Sequence, residues 1–365
     1  MVVRVEKPAF NLRSKLNELD RPVGTFGNQV LATENRYEAN KLIGGGRKNL
    51  LINGDFKVSQ RGDYTSATAV ADDAYYLDRW KMRESGTAIA ITHNKDIMIT
   101  GAGGDGIKTN SAKIDITSSN NGYWAIRQAV EDYAAVSGQT VTFSCWVRGV
   151  GQKVFFRLWS IGNIGHGHAL TEDWQLYTET FSLPAFTQAA DSSNGFVPTI
   201  GNYAEANVYN HTSDWCEVAL FQVEIGRSPT PFEFRTYAEE LALCQRYFNV
   251  WPPRSGGTPA WPVYTGGSQA SGYIWIPYTM RTIPTPTDAG TGTSTTTGYA
   301  YNNNGNGVTT RYANGSSPTL SCGGDTANGH YSLKMDFGSY SSGGHEADIA
   351  SWNGTLPGIF LDSEL

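Results

Sequence analysis

Along the middle of the chain, apolar and polar residues alternate with a period of two. The pattern is cleanest over 140–148, where Val141, Phe143, Cys145 and Val147 fall on one side and Thr142, Ser144, Trp146 and Arg148 on the other. Such alternation sets one face of a strand against a core and the other toward solvent. Similar runs over 113–117, 153–159, 175–183 and 217–225 are separated by Gly, Asn, Ser and Asp turns, the spacing of a β-sandwich. Residues 48–237 are therefore expected to form a jelly-roll-like β-sandwich in a chain that is mainly β.

The period changes on either side. Leu12, Leu16 and Leu19 recur at i, i+4 and i+7 before Pro22 ends the run, which predicts a short helix with one narrow apolar stripe. Thr33 as N-cap, Glu34 in the first turn and the stop at Gly44-Gly45-Gly46 predict a second one. Residues 1–47 are too few to bury a core alone, so this helical segment is expected to pack on copies of itself or on another protein. Beyond the sandwich, Leu241, Cys244 and Phe248 share one side of a helix predicted over 237–248, and 238–250 is expected as the connecting helix that leads to a distal β-rich domain at 251–365. The clearest distal strands are 273–280, 331–337 and 359–361. Between them, 287–306 is almost all Gly, Ser, Thr, Asn and Tyr. Tyr299, Tyr301 and the nearby Tyr312 favour β turns held by neighbours over a flexible linker, which has little use for tyrosines.

Composition narrows the functional classes. At 365 residues and 39.7 kDa the chain is long enough for two or three domains. With 39% hydrophobic and 12% aromatic residues it can bury large cores, which excludes disorder of the whole. A net charge of −6, from 28 basic and 34 acidic residues and with no Lys/Arg block, argues against nucleic acid and anionic bilayers as partners. No apolar run reaches the ~18 residues of a membrane span, and the first residues lack the apolar region of a secretory signal. Cys145, Cys216, Cys244 and Cys322 form no CxxC pair and are expected as buried thiols, not as zinc ligands or a disulfide framework.

Motifs for catalysis are weak. Residues 101–106 satisfy GxGxxG, but the alternation that follows is that of a strand, so no helix N-terminus is offered to a phosphate and a turn is expected. His166-Gly167-His168 could bring two imidazoles to a metal, yet no third ligand is near in sequence. The adjacent acids Asp72-Asp73, Glu131-Asp132, Glu172-Asp173 and Glu239-Glu240 would point to opposite faces of a strand, not across one glycosidic bond. GxSxG, HExxH and P-loop patterns are absent. No enzymatic activity and no cofactor are expected. Sugar binding needs aromatic rings that stack on C–H faces beside side chains that take hydroxyls. The aromatics in or beside loops, Trp159, Tyr203, Tyr209, Trp261, Tyr299, Tyr301 and Tyr312, are the candidate glycan-binding residues.

Asn49-Leu50-Leu51-Ile52-Asn53-Gly54-Asp55-Phe56, then Val58-Ser59-Gln60-Arg61-Gly62 and Asp78-Arg79-Trp80, resemble the opening of the carbohydrate-binding-module-like domain of bacteriophage tail-fibre and other virion fibre proteins. Further matches follow in order: Gln128-Ala129-Val130-Glu131, the run 138–144, Leu170-Thr171-Glu172-Asp173-Trp174, Gln222-Val223-Glu224-Ile225-Gly226, Thr230-Pro231-Phe232-Glu233-Phe234-Arg235 and the run 240–247. The first ~45 residues are similar to the amino-terminal segment of fibre-type proteins of marine podophages, through Lys7-Pro8-Ala9-Phe10-Asn11-Leu12 and Gly27-Asn28-Gln29-Val30-Leu31. The ending 359–365 is similar to the final strand of such proteins, so the chain is expected to be complete there.

The resemblance implies a virion fibre or appendage protein, made without a secretory signal. It would be attached through 1–47 to other virion structural proteins and would bind host-surface polysaccharide or lipopolysaccharide as a homotrimer, in which weak sites gain by avidity. The alternatives are a capsid or tail decoration protein without glycan binding and, less favoured, a polysaccharide depolymerase. In this frame Trp80, Trp146 and Trp174 are read as structural. Asn53 and Asp55 lie near where related modules can hold a structural Ca²⁺.

Overall fold

The computed structural model describes residues 48–100, 106–118, 121–131, 133–151, 153–158, 163–185, 196–202, 211–251, 261–266, 269–276, 279–281, 283–288, 298–303, 309–312, 319–325, 330–339, 347–352 and 359–364. From 261 to 275 and from 287 to 360 this is mostly the course of the backbone. The helices expected within 1–47 lie outside the described residues.

Two antiparallel sheets form the jelly-roll-like sandwich. The larger has the order β1 (Thr68–Ala69), β3 (Ile89–Ile99), β4 (Ile107–Ile116), β11 (Trp215–Ile225), β6 (Thr140–Val150), β9 (Gln175–Ser182). The smaller has the order β2 (Lys81–Ser85), β5 (Tyr123–Arg127), β10 (Pro198–Gly201), β7 (Phe155–Leu158), β8 (Asn163–Ile164). The alternation read in β6 is what builds the core. Val141, Phe143, Cys145 and Val147 are buried with Ile91, Ile114, Val218 and Val223 from neighbouring strands and with Phe156, Ile126 and Ile200 from the opposite sheet. Phe143 joins the sheets through edge-on contacts with Phe156, at 5.8 Å between centroids, and Phe181, at 5.0 Å, a favoured aromatic geometry. Ile99 and Ile107 face each other across the GxGxxG connection, so a strand follows it, as expected.

A β-bulge between Ala219 and Gln222 ties the first signature motif to this core. It turns Leu220 toward Trp146 and Trp174 on the outer face, while Phe221 enters the core against Trp80, at 5.5 Å. The freed backbone of Phe221 is taken up by residues 49–56: its N–H donates to the Gly54 carbonyl at 2.8 Å, and its carbonyl accepts from Asn49 Nδ2 at 3.2 Å. Gly54 has to be glycine here, because a Cβ would lie 2.3 Å from the Phe221 carbonyl oxygen. Asn53, at φ 58°, tolerates the left-handed region better than most residues.

One helix, α1 (Tyr237–Gln245), follows, with Thr236 and Glu239 in a reciprocal capping box. It is shorter than the apolar spacing predicts. Phe248 opens strand β12 (Phe248–Trp251) instead, because its backbone pairs with β21 (Ile359–Asp362), which also pairs with β15 (Thr285–Asp288). The remaining strands form a sheet in the order β17 (Thr309–Tyr312), β16 (Gly298–Asn303), β20 (Ala347–Trp352), β13 (Trp261–Gly266), β14 (Gln269–Trp275), β19 (His330–Ser339), β18 (Thr319–Asp325). The Gly/Ser/Thr/Asn tract thus contains the end of β15 and all of β16.

The end of the chain is clamped onto the sandwich. Ser363 N–H donates to the Tyr247 carbonyl at 2.7 Å. Arg281 holds the Ser363 and Glu364 carbonyls at 2.9 and 3.0 Å. Arg61 reaches Asp362 at 3.0 Å and Glu364 at 3.1 Å while its guanidinium lies 3.7 Å over the Phe248 ring. Arg79 pairs with Glu364, donates to the Ala129 carbonyl at 2.6 Å and lies 3.5 Å over Tyr247. Asp78 sits beneath this cluster, accepting from Gln60 N–H at 2.6 Å, and burial pushes its carboxyl up to about 6 against the pull of Gln60 and Arg61. A raised carboxyl favours the folded state at low pH and loses that contribution as pH rises through about 6. Asp78→Asn keeps an oxygen for Gln60, so its stability relative to the parent should improve by about 2 kcal/mol between pH 4 and 7.5. Urea titrations across that range check this; a difference independent of pH would exclude it.

Candidate functional site

The outer face of the larger sheet carries a polar and aromatic platform. Along β11, Cys216 and Val218 enter the core, which sends Trp215 and Glu217 outward. Register fixes the neighbours. Trp215 stands opposite Asp115 and Val150, and Glu217 opposite Lys113 and Arg148.

Glu217, 1% exposed, organises the group. It accepts from Arg148 Nε at 2.8 Å, from Asn94 Nδ2 at 2.7 Å and from the Ser111 hydroxyl. A carboxylate so surrounded by donors holds their side chains in one arrangement. Lys113 pairs with Asp115 at 2.6 Å. The Lys113 ammonium lies 5.3 Å and the Arg148 guanidinium 5.7 Å from the Trp215 ring centre, and Arg148 also lies 4.9 Å from Trp174. Lys113, Asp115 and Arg148 each keep about a third of their side chains exposed, and Trp215 is half-buried. Phe232 covers the other part of this face, packing on Ile99, Trp146, Trp174, Ala219 and Leu220. The half-buried Trp215 indole thus lies beside two cations, Lys113 paired with Asp115 and Arg148 held by Glu217. Such a set can stack on an apolar ring face and bind hydroxyls at its rim.

The candidates from the sequence fall elsewhere. Trp159, Tyr203 and Tyr209 lie outside the described residues. Trp261 opens β13, Tyr299 and Tyr301 lie within β16 and Tyr312 ends β17, so Trp261 and Tyr312 stand beside loops and the two β16 tyrosines stand in a strand. Tyr312, Ala300, Ala350 and Trp261 stand in one register row across four strands, while Tyr299 faces Ser351 and Tyr301 faces Ile349. Trp80, Trp146 and Trp174 are buried. Trp215 was not among the candidates. Extending the alternation of 217–225 back by one period would have placed it on the polar face of a strand, where a tryptophan needs a reason.

The residues considered for metals and acids have structural partners. Asn53 uses its whole amide: Oδ1 accepts from Val58 N–H at 2.9 Å, and Nδ2 donates to the Val58 and Asp78 carbonyls at 2.9 and 3.0 Å. Asp55 pairs with Lys57 at 2.6 Å. The fold brings Glu179 to the histidine pair, 3.1 Å from His166 Nδ1 and 3.9 Å from His168 Nε2. Even so, among the described residues no group of three such side chains is arranged to hold a metal ion. Glu239 caps α1 while its neighbour Glu240 is buried against Asn53 N–H and Arg235, so this pair of acids is divided between two structural tasks. Cys145, Cys216 and Cys244 are buried free thiols, and Cys322 is half-buried.

No family model matches the chain, and no curated protein matches it. Among solved structures it is similar to the enzymatically active domain of tailspike protein 4 of bacteriophage CBA120, with 13% identity over 49% of this chain and a TM-score of 0.31. The matched part is 21% of that tailspike chain, about a fifth of its length. It is also similar to TmCBM61 in complex with β-1,4-galactotriose (12% identity, 49% of this chain and 100% of that one, TM-score 0.29). A third is the family 11 carbohydrate-binding module of Lic26A-Cel5E of Clostridium thermocellum (12% identity, 45% and 98%, TM-score 0.26). Likenesses of this size carry no argument about what this chain binds.

Proposed function

We propose that this chain is a non-enzymatic structural protein of a bacteriophage virion, a tail fibre or appendage that binds host-surface glycan. The observation that carries the glycan reading is the Trp215 platform, an indole beside Lys113, Asp115 and Arg148 on the outer face of the larger sheet. Its charges are matched in pairs, Arg148 with Glu217 and Lys113 with Asp115, which suits an uncharged sugar ring better than an anionic one. The virion assignment rests on the run of signature motifs from Asn49 to Tyr247. Attachment through 1–47 to other virion proteins, assembly as a homotrimer and further glycan contacts from Trp261, Tyr299, Tyr301 and Tyr312 belong to the same reading. A capsid or tail decoration protein is the second reading, favoured by the exposed Phe234 and Tyr237.

The test is retention of the full chain on an array of bacterial surface polysaccharides, with reducing ends followed in parallel. At least one polysaccharide should hold the protein and none should be shortened. Steady release of reducing ends would establish a depolymerase. Binding to no polysaccharide, together with binding to virions that lack the protein, would establish decoration.

A further inference from the structure

Phe234 and Tyr237 are the most exposed large apolar side chains among the described residues, at 56% and 57%. Their backbone is held on both sides. Glu233 N–H donates to Gln222 Oε1 at 2.8 Å. Arg235 donates to the Leu51 carbonyl at 3.1 Å and the Asn49 carbonyl at 2.7 Å. The capping box at Thr236 then fixes the start of α1. Phe234 is braced edge-on by Phe232, at 5.0 Å, and Phe232 is packed on the outer-face cluster. Leu176, 46% exposed, stands opposite Trp146 of that cluster. An aromatic that is both exposed and already ordered loses little freedom on being covered, which is the property of a contact residue.

The occupant follows from where the chain enters this unit. Asn49 N–H donates to Glu233 Oε2 at 2.7 Å, and its carbonyl accepts from Arg235, so the backbone arriving from residues 1–48 is gripped on either side of Phe234. If those residues join several chains, as in the homotrimer reading on which this inference rests, each Phe234 is tethered beside the junction. Short tethers give effective concentrations in the millimolar range, enough for a small apolar contact to form. We infer that Phe234, Tyr237 and Leu176 form a self-association surface covered by a second copy of this chain.

Phe234→Glu in the full chain tests it, with the melting temperature as a check that the fold is intact. Dissociation on dilution is followed by sedimentation, and amide exchange of 232–237 is compared between assembled and diluted protein. The variant should need about tenfold or more higher concentration to assemble, and 232–237 should be protected only in the assembled parent. A parent that assembles while the variant assembles at the same concentration would overturn this surface and leave the homotrimer intact. A parent that stays monomeric at tens of micromolar would overturn both.

Discussion

Arg79→Ala is expected to lower the unfolding free energy by about 3–5 kcal/mol, the range for breaking a buried ion pair from one side. Arg79 is 1% exposed, and its guanidinium serves three partners at once: the Glu364 carboxylate, the Ala129 carbonyl and the Tyr247 ring. Alanine leaves Glu364 buried, with Arg61 as its remaining ion-pair partner at 3.1 Å, and opens a void under Tyr247. The loss should be local in origin and wide in effect, because Glu364 follows β21, the strand on which β12 and β15 both pair. Guanidinium chloride titration of the full chain measures it. Arg79→Ala combined with Glu364→Gln should cost less than the sum of the two changes, since the second removes the charge that the first leaves alone. A loss under about 1 kcal/mol would mean that the end of the chain contributes little to holding this unit together.

That result would also assign a role to the signature. Arg61, Asp78, Arg79 and Tyr247 read in sequence as separate fragments of a resemblance; in the fold they converge on one clamp for Asp362, Ser363 and Glu364, with Glu131 accepting from the Tyr247 hydroxyl at 2.6 Å. No local pattern could have announced it, because Arg61 and Glu364 are 303 residues apart. The same limit shortened the predicted helix. A periodicity that runs to Phe248 says nothing of the strand 359–362 that recruits Phe248 into a sheet. The strands of the sandwich are legible because their residue types alternate: Phe143 and Cys145 enter the core between the sheets, while Ser144 and Trp146 take the opposite face, which the fold buries as well instead of leaving it to solvent. The platform was less so. Glu217 looks like a solvent-facing residue of a half-buried strand, yet it is closed over by Asn94, Ser111 and Arg148 from the adjacent strands. Only that closure turns Trp215 from one more aromatic into the centre of a site. The distal tyrosines read in sequence as residues in or beside loops, because the pairing of β16 with β17 and β20 comes from partners that the Gly/Ser/Thr/Asn tract does not advertise.

The second large effect is on binding. Trp215→Ala removes the indole at the centre of the platform, and a central aromatic contact of this kind is worth about 2 kcal/mol or more, roughly a thirtyfold loss of affinity. The stability cost should stay small beside that of Arg79→Ala, since Trp215 is half-buried at the start of a strand whose register is set by Cys216, Val218 and Phe221 in the core. The decisive measurement is a calorimetric titration of whichever surface polysaccharide the full chain retains, run on the parent, Trp215→Ala, Trp261→Ala and Tyr301→Ala, with melting temperatures alongside. A platform centred on Trp215 predicts that the first variant loses binding at least thirtyfold with its fold intact, whatever the distal variants do. Full binding by Trp215→Ala, with loss in Trp261→Ala or Tyr301→Ala, would contradict it and move the glycan site to the distal sheet.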